Sequence, residues 1–194
     1  MKKLLLVLVA LMLLALPAFA QVKETHGMKG GKPYFSASQK VTGTATVLAV
    51  NKSTRDVTMM NEEGDTVTVK AGPAVKNFAQ IQKGDMVKIS YTEKLDIMVG
   101  PPGEPATTTE TSTAQAKPGE KPSASVMQKT TYTASITAID TTAKTVTLKG
   151  GNGEEHVVTP RNPANLKKVK VGDMVTITYT EGLAASVEKV TKKK

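Results

Sequence analysis

The sequence predicts an all-β protein in which two tandem five-stranded small β-barrels, each with one short helix, are joined by a flexible linker. Three observations predict this fold: an internal repeat, segments rich in β-branched residues that alternate apolar and polar, and a Pro/Thr-rich stretch between the copies. The boundaries we expect are 39–99 for the first repeat, 100–127 for the linker and 128–190 for the second repeat.

The internal repeat is the strongest of these observations. Nine of twelve positions are identical between Gly84–Leu95 and Gly172–Leu183. The other matching pairs are Thr44–Val50 with Thr133–Ile139, Val57–Met59 with Val146–Leu148, and Gly64 with Gly153. Such an ordered series indicates two copies of one structural unit.

Each copy reads as three strands, a short helix and two further strands. The helix is predicted near 75–82 in the first copy and near 164–170 in the second. Strands four and five are predicted as separate elements, at 86–91 and 96–99 and again at 174–179 and 184–190. This element order is that of an OB-type five-stranded barrel, in which closure removes exposed strand edges.

The first twenty residues have the pattern of a signal peptide. Lys2 and Lys3 precede an apolar stretch over Leu4–Leu16, and the small residues around Phe19 predict cleavage after Ala20. We therefore expect a periplasmic or secreted protein with no transmembrane segment in the mature chain. The absence of Cys leaves each domain without disulfides.

The segments outside the repeats are polar or rich in Gly and Pro. We expect 21–38 to be disordered, 100–127 to be a mobile linker and 191–194 to be a basic tail, since these stretches offer little to bury. The formal net charge of +9 favours an envelope protein or an anionic polymer as partner. Nucleic acid is not expected, because strands two and three carry no aromatic platform. The oligomeric state stays open.

The repeats resemble the small periplasmic copper-binding OB-fold proteins of cation efflux systems. The likeness lies in Val57–Met59 and Val146–Leu148 on strand two, in the end of the first strand at Val50 or Ile139, and in the later Gly-Asp-x-Val. It implies the OB fold. That family's copper ligands, a strand-two His followed by Trp-Pro-x-Met-x-Met, are missing here. The corresponding positions are Met60, Val67 and Val69 in the first repeat and Lys149, His156 and Val158 in the second.

Soft metal ligands are nevertheless present. The weak candidates are His26, Met28, Met59, Met60 and His156. Thioether sulfur suits Cu(I) and imidazole suits several transition metals, and the N-terminal pair would have to fold back onto the first barrel to meet Met59 and Met60. The alternative is that Met59 fills the core while His26 is a solvated tail residue.

No catalytic constellation is evident. Asp85 and Asp173 each follow a Gly and read as turn residues that accept hydrogen bonds from their own backbone. Tyr91 and Tyr179 read as aromatic residues at the edge of a core. We therefore expect no enzyme and no cofactor, but a tandem binding or structural module of unknown ligand. The alternative is a periplasmic copper-binding or carrier protein.

Overall fold

The fold is all-β, as predicted. The computed structural model describes residues 22–73 and 75–189, so the predicted signal peptide and basic tail lie outside the described residues. Ten antiparallel strands and two short 3-10 helices make up the described chain. In these ranges no helix is both long enough and apolar enough to cross a membrane.

The strands differ greatly in length. In chain order they are β1 Lys23–Lys29, β2 Lys32–Asn51, β3 Asp56–Asn61, β4 Thr66–Lys70, β5 Met86–Gly100, β6 Thr107–Gln115, β7 Ser123–Asp140, β8 Thr145–Gly150, β9 Glu155–Val158 and β10 Met174–Glu188. The 3-10 helices, Phe78–Gln80 and Pro163–Lys168, lie where a helix is predicted. Each sends one apolar side chain, Phe78 or Leu166, into a core.

All ten strands belong to one open sheet. Its order is β4-β3-β2-β5-β10-β7-β8-β9, with β1 paired to β2 and β6 paired to β7. The path does not return from β9 to β4. The two closed barrels predicted from the sequence are therefore not seen, and β4 and β9 remain edge strands.

The two repeats are related by an approximate two-fold axis. Ala45 pairs with Val87 in the first repeat, and their equivalents Ala134 and Val175 pair in the second. The register shift at Val47/Ala49 recurs at Ile136/Ala138. Between the repeats, Glu93 of β5 lies directly opposite its own equivalent, Glu181 of β10. The axis therefore passes through the centre of the β5–β10 pair.

Strands four and five are not separate elements, contrary to the prediction. In each repeat they run on as one strand, so β5 and β10 pair along fifteen residues each. As a result the end of each long strand leaves its own repeat and lies against the other one. Residues 92–95, the gap between the two predicted strands, instead continue the ladder and pair with β10, and Gly182 of β10 does not interrupt it.

Each hydrophobic core is completed by the other repeat. The first core is built around Val47, Met59 and Ile89, and Leu183, Ala185 and Val187 of β10 pack against it. The second core is built around Ile136 and Leu148 in the same way.

Ile97 and Val99 of β5 pack against that second core. The repeats consequently do not form two barrels that move independently.

The segments expected to be disordered or mobile also differ from the prediction. Residues 23–29 form β1, and residues 32–38 form the start of β2. Within the expected linker, 107–115 forms β6, and 123–127 begins β7. These Thr- and Ser-rich stretches bury little, but their β-propensity and a free neighbouring strand edge suffice for pairing.

Candidate functional site: an apolar groove in the first repeat

An open groove of about 840 Å³ runs over the first core. Its walls come from β3 and the end of β4, from the start of β5, and from the end of β10 with the neighbouring parts of β6 and β7. The apolar lining residues are Val57, Met59, Val69, Ala71, Pro73, Val75, Ile81, Val87, Ile89, Ala114, Pro122, Ala124, Val126, Leu183, Ala185 and Val187. The groove thus lies between edge strand β4 and the strands that the second repeat contributes.

Small side chains keep this groove open. One row of directly opposed residues crosses the first core through Gly43, Ile89, Ala185 and Ala124. The equivalent row of the second core holds larger residues at three of these four positions and Ile177 in place of Ile89.

In the second core, the positions of Gly43, Ala185 and Ala124 are occupied by Tyr132, Ile97 and Phe35, respectively. The Tyr132 hydroxyl lies so close to Gly150 that a Cβ at that glycine would overlap it. The second core is therefore filled at the level where the first is open.

Arg55 forms one end of the groove and is held in place by main-chain carbonyls. It occupies the left-handed region with φ of 63° in the β2–β3 turn. Its Nε donates to the Ala71 carbonyl at 2.9 Å, and Nη2 donates to Gly72 and Val75 at 2.9 and 3.0 Å. The guanidinium also lies 4.5 Å from the Phe78 ring centroid. These contacts fix the orientation of the side chain without neutralising its charge.

The two Gly-Asp turns act as sequence analysis expects, and they also join the repeats. Asp85 accepts from the Gln82 N–H at 2.9 Å, and Asp173 accepts from the Lys170 N–H at 2.9 Å. In addition, Lys121 binds Asp85 at 2.6 Å.

Lys32 binds Asp173 in the equivalent pair. Burial raises the pKa of each Asp carboxyl, but the hydrogen bond and charge of its Lys partner, with the backbone N–H, outweigh burial and lower it. Both pairs thus tie the segment before one repeat to the other repeat.

A hydrogen-bonded cluster occupies the two-fold axis. Glu93 accepts from the hydroxyls of Tyr91 at 2.6 Å and Tyr179 at 2.8 Å, and from the side-chain amide of Gln39. These three bonds lower the Glu93 pKa. The pKa of Tyr91 is raised mainly by burial and then by its hydrogen bond to Glu93. The pKa of Tyr179 is also raised, mainly by its hydrogen bond to Glu93 and then by burial.

The predicted metal ligands lie apart from one another. Met59 is buried in the first core, whereas Met60 is on the opposite face of β3 and partly exposed. His26 and Met28 lie on β1, where His26 is opposite Phe35 of β2 and Met28 is exposed. Arg161 of the second repeat contacts Glu24 of β1 and the Phe35 ring, so both candidate ligands lie beside the second repeat rather than over the first.

His156 is exposed on edge strand β9. Among residues 22–73 and 75–189, no three His, Asp or Glu side chains gather as a metal site would require. Copper binding stays a prediction that titration of the protein with Cu(I) and Cu(II) would test.

Comparison with known proteins does not assign the chain. No protein-family model matches it, and no curated sequence matches it significantly.

Sequence reasoning missed the groove. The one signal for it is the size difference at equivalent positions, Gly43 against Tyr132 and Ala124 against Phe35. The first difference lies within the predicted repeats, and the second becomes visible only when the repeat is extended upstream to 32 and 121.

Proposed function

We propose that this chain is an exported, non-enzymatic binding protein whose binding site is the groove of the first repeat. The observation that carries the proposal is an apolar groove of about 840 Å³, left open on one of two otherwise equivalent cores. That volume lies within the range of roughly 300–1,000 Å³ that small-molecule sites occupy. Export rests on the signal-peptide pattern of the first twenty residues.

We interpret each repeat as an OB-like five-stranded unit that borrows its fifth strand. In the first repeat the strand order β4-β3-β2-β5 is followed by the end of β10, which takes the place of a fifth strand. Closure of the barrel would require β4 to pair with that strand. The groove lies in this gap, so the same feature that leaves the barrel open supplies the binding site.

The asymmetry between the repeats supports a binding role over a purely structural one. A structural module would gain from filling both cores, because buried apolar side chains contribute about 1.5–3 kcal/mol each. The row across the second core has such residues, Tyr132 and Phe35, and the row across the first core has Gly43 and Ala124. An open apolar surface is costly in water unless a ligand covers it.

Titration with a neutral apolar dye, Nile red, tests the proposal. We expect saturable binding of one dye per chain. The double variant Ala124→Phe/Ala185→Ile places the residues of the second core in the first and should abolish binding while keeping the circular dichroism spectrum and thermal midpoint.

Its matched control is Met127→Phe, which places the same ring three residues along β7, at an exposed position that does not line the groove. Absence of saturable dye binding, or equal binding by the filled variant, would refute the proposed site.

A further inference from the structure

The groove has one charged end, and this indicates the class of ligand. We propose that it binds an anionic amphiphile with a single acyl chain, whose head group is held by Arg55. The inference rests on the groove being the binding site and goes further by naming the chemistry of its ligand.

The walls fit an acyl chain. Apolar residues from six strands line the groove, and an acyl chain has no hydrogen-bonding groups to satisfy there. The uncharged polar lining residues, Thr113, Gln115, Ser123, Ser125 and Ser186, lie on β6, β7 and β10 along one side. Binding should therefore depend steeply on chain length, by about fourfold for each methylene buried.

Arg55 is suited to hold an anionic head group. Its Nε and Nη2 are bound to carbonyls, and its Nη1 has no hydrogen-bond partner within the described ranges. A carboxylate or phosphate at Nη1 would meet a guanidinium already fixed in place, so little ordering of the side chain is needed. No acidic residue is among those that line the groove.

The nearby charges support this orientation. Asp56 follows Arg55 in sequence, but it lies opposite Lys70 on β4, away from the core-facing Val57 and Val69, and it accepts from the Thr54 hydroxyl at 2.5 Å. Lys70 is exposed at the end of β4 and is the second cationic residue that lines the groove. Asp56 therefore does not compete for Nη1 within the groove.

The other end of the groove is unsuited to an anion. It reaches Leu183, and Glu181 and Glu93 follow along the same face towards the two-fold axis. Glu93 stays ionised, since three donors lower its pKa. A negative head group would be repelled there, so the ligand should enter with its head at Arg55 and its chain directed towards Leu183.

Displacement of Nile red from the chain Gln21–Lys194 tests this inference. The competitors are dodecanoate, dodecyl phosphate, dodecanol and dodecyltrimethylammonium, all below their micelle concentrations. We expect either anion to bind at least about tenfold more tightly than dodecanol, since hydrogen bonds to charged groups are strong. Decanoate should bind about fifteenfold more weakly than dodecanoate. The two anions distinguish a fatty-acid from a phosphate head group.

Two matched variants locate the head group. Arg55→Gln should reduce binding of the anions to the dodecanol level while leaving Nile red and dodecanol within about twofold. Lys88→Gln removes the same charge from an exposed position of β5 that does not line the groove, and it should change none of the affinities by more than about twofold.

The inference would be overturned if dodecanol bound as tightly as the anions or if dodecyltrimethylammonium bound more tightly than they do. It would also be overturned if Arg55→Gln weakened the binding of dodecanol as much as that of the anions. Failure of the groove itself would look different, because Nile red would then not bind the wild-type chain.

Discussion

The contact between the repeats can be tested by replacing Lys32 with Met and measuring the free energy of unfolding. The Lys32 ammonium pairs with Asp173, whose side chain is fully buried, and the two residues are 141 positions apart. Removing one partner of a buried ion pair costs about 3–5 kcal/mol, because the other charge stays buried without compensation. The Lys32 side chain is 24% exposed, so water screens part of this loss. We expect Lys32→Met to lower the free energy of unfolding by about 2–3 kcal/mol.

Urea denaturation followed by circular dichroism measures this loss. The matched control is Lys129→Met, because Lys129 pairs with Glu110 at 3.4 Å and both side chains are largely exposed. The control should lose less than about 1 kcal/mol. A double-mutant cycle with Asp173→Asn should give a coupling of about 1–3 kcal/mol. If Lys32→Met loses no more free energy of unfolding than the control and shows no coupling to Asp173→Asn, the ion pair does not join the repeats. That result would be expected of two independent barrels, in which Lys32 does not contact the second repeat.

Three further predictions follow from the same geometry. The fragment 101–194 should form a homodimer by light scattering, because its β10 needs a partner in place of β5; a folded monomer would contradict this. Folding lowers the pKa of Asp85 and of Asp173, so the stability that these carboxylates contribute is complete above the unfolded pKa of about 4 and is lost as pH falls through the folded pKa. The thermal midpoint of unfolding should therefore decrease below about pH 4. A midpoint that does not change with pH would count against the two ion pairs. The raised Tyr91 pKa should fall towards about 10 in Glu93→Gln, measured by ultraviolet titration of tyrosine, and an unchanged titration curve would exclude the cluster.

The strands of each repeat could be predicted because their signals are local. Alternation and β-branched residues predict strands at 57–61 and 145–149, and each observed strand, 56–61 and 145–150, is one residue longer. The 3-10 helices follow from Phe78 and Leu166 between turn residues. Local pattern does not say which copy of a strand pairs with which, and that choice decides the sheet.

Two features beyond local pattern explain what was missed. The repeat begins earlier than predicted, since Lys32-Pro33 and Gln39-Lys40 recur as Lys121-Pro122 and Gln128-Lys129. This recurrence shows that 123–127 is not linker.

The exchange of strand ends depends on the long pairing of β5 with β10, which buries apolar residues from both repeats at once. A tandem repeat predicts equally well two separate units and two units that exchange strands. Packing between the copies makes that choice, and the groove is a consequence of it.

The Asp residues illustrate the same limit. Sequence predicts the turns at Asp85 and Asp173, because Gly-Asp turns are local chemistry. It does not predict their Lys partners, which come from the segment preceding the other repeat. These partners turn a local capping residue into a contact that joins the two halves of the protein.

The groove is built jointly by both repeats, and an engineered cross-link between β5 and β10 is the sharpest test of this arrangement. Ser90 of β5 lies directly opposite Ala184 of β10, and the chain has no native Cys to interfere. The double variant Ser90→Cys/Ala184→Cys should form an intramolecular disulfide in nearly every monomer under mild oxidation, and it should still bind Nile red. Free thiols in the folded monomer, or disulfides between chains alone, would contradict the account.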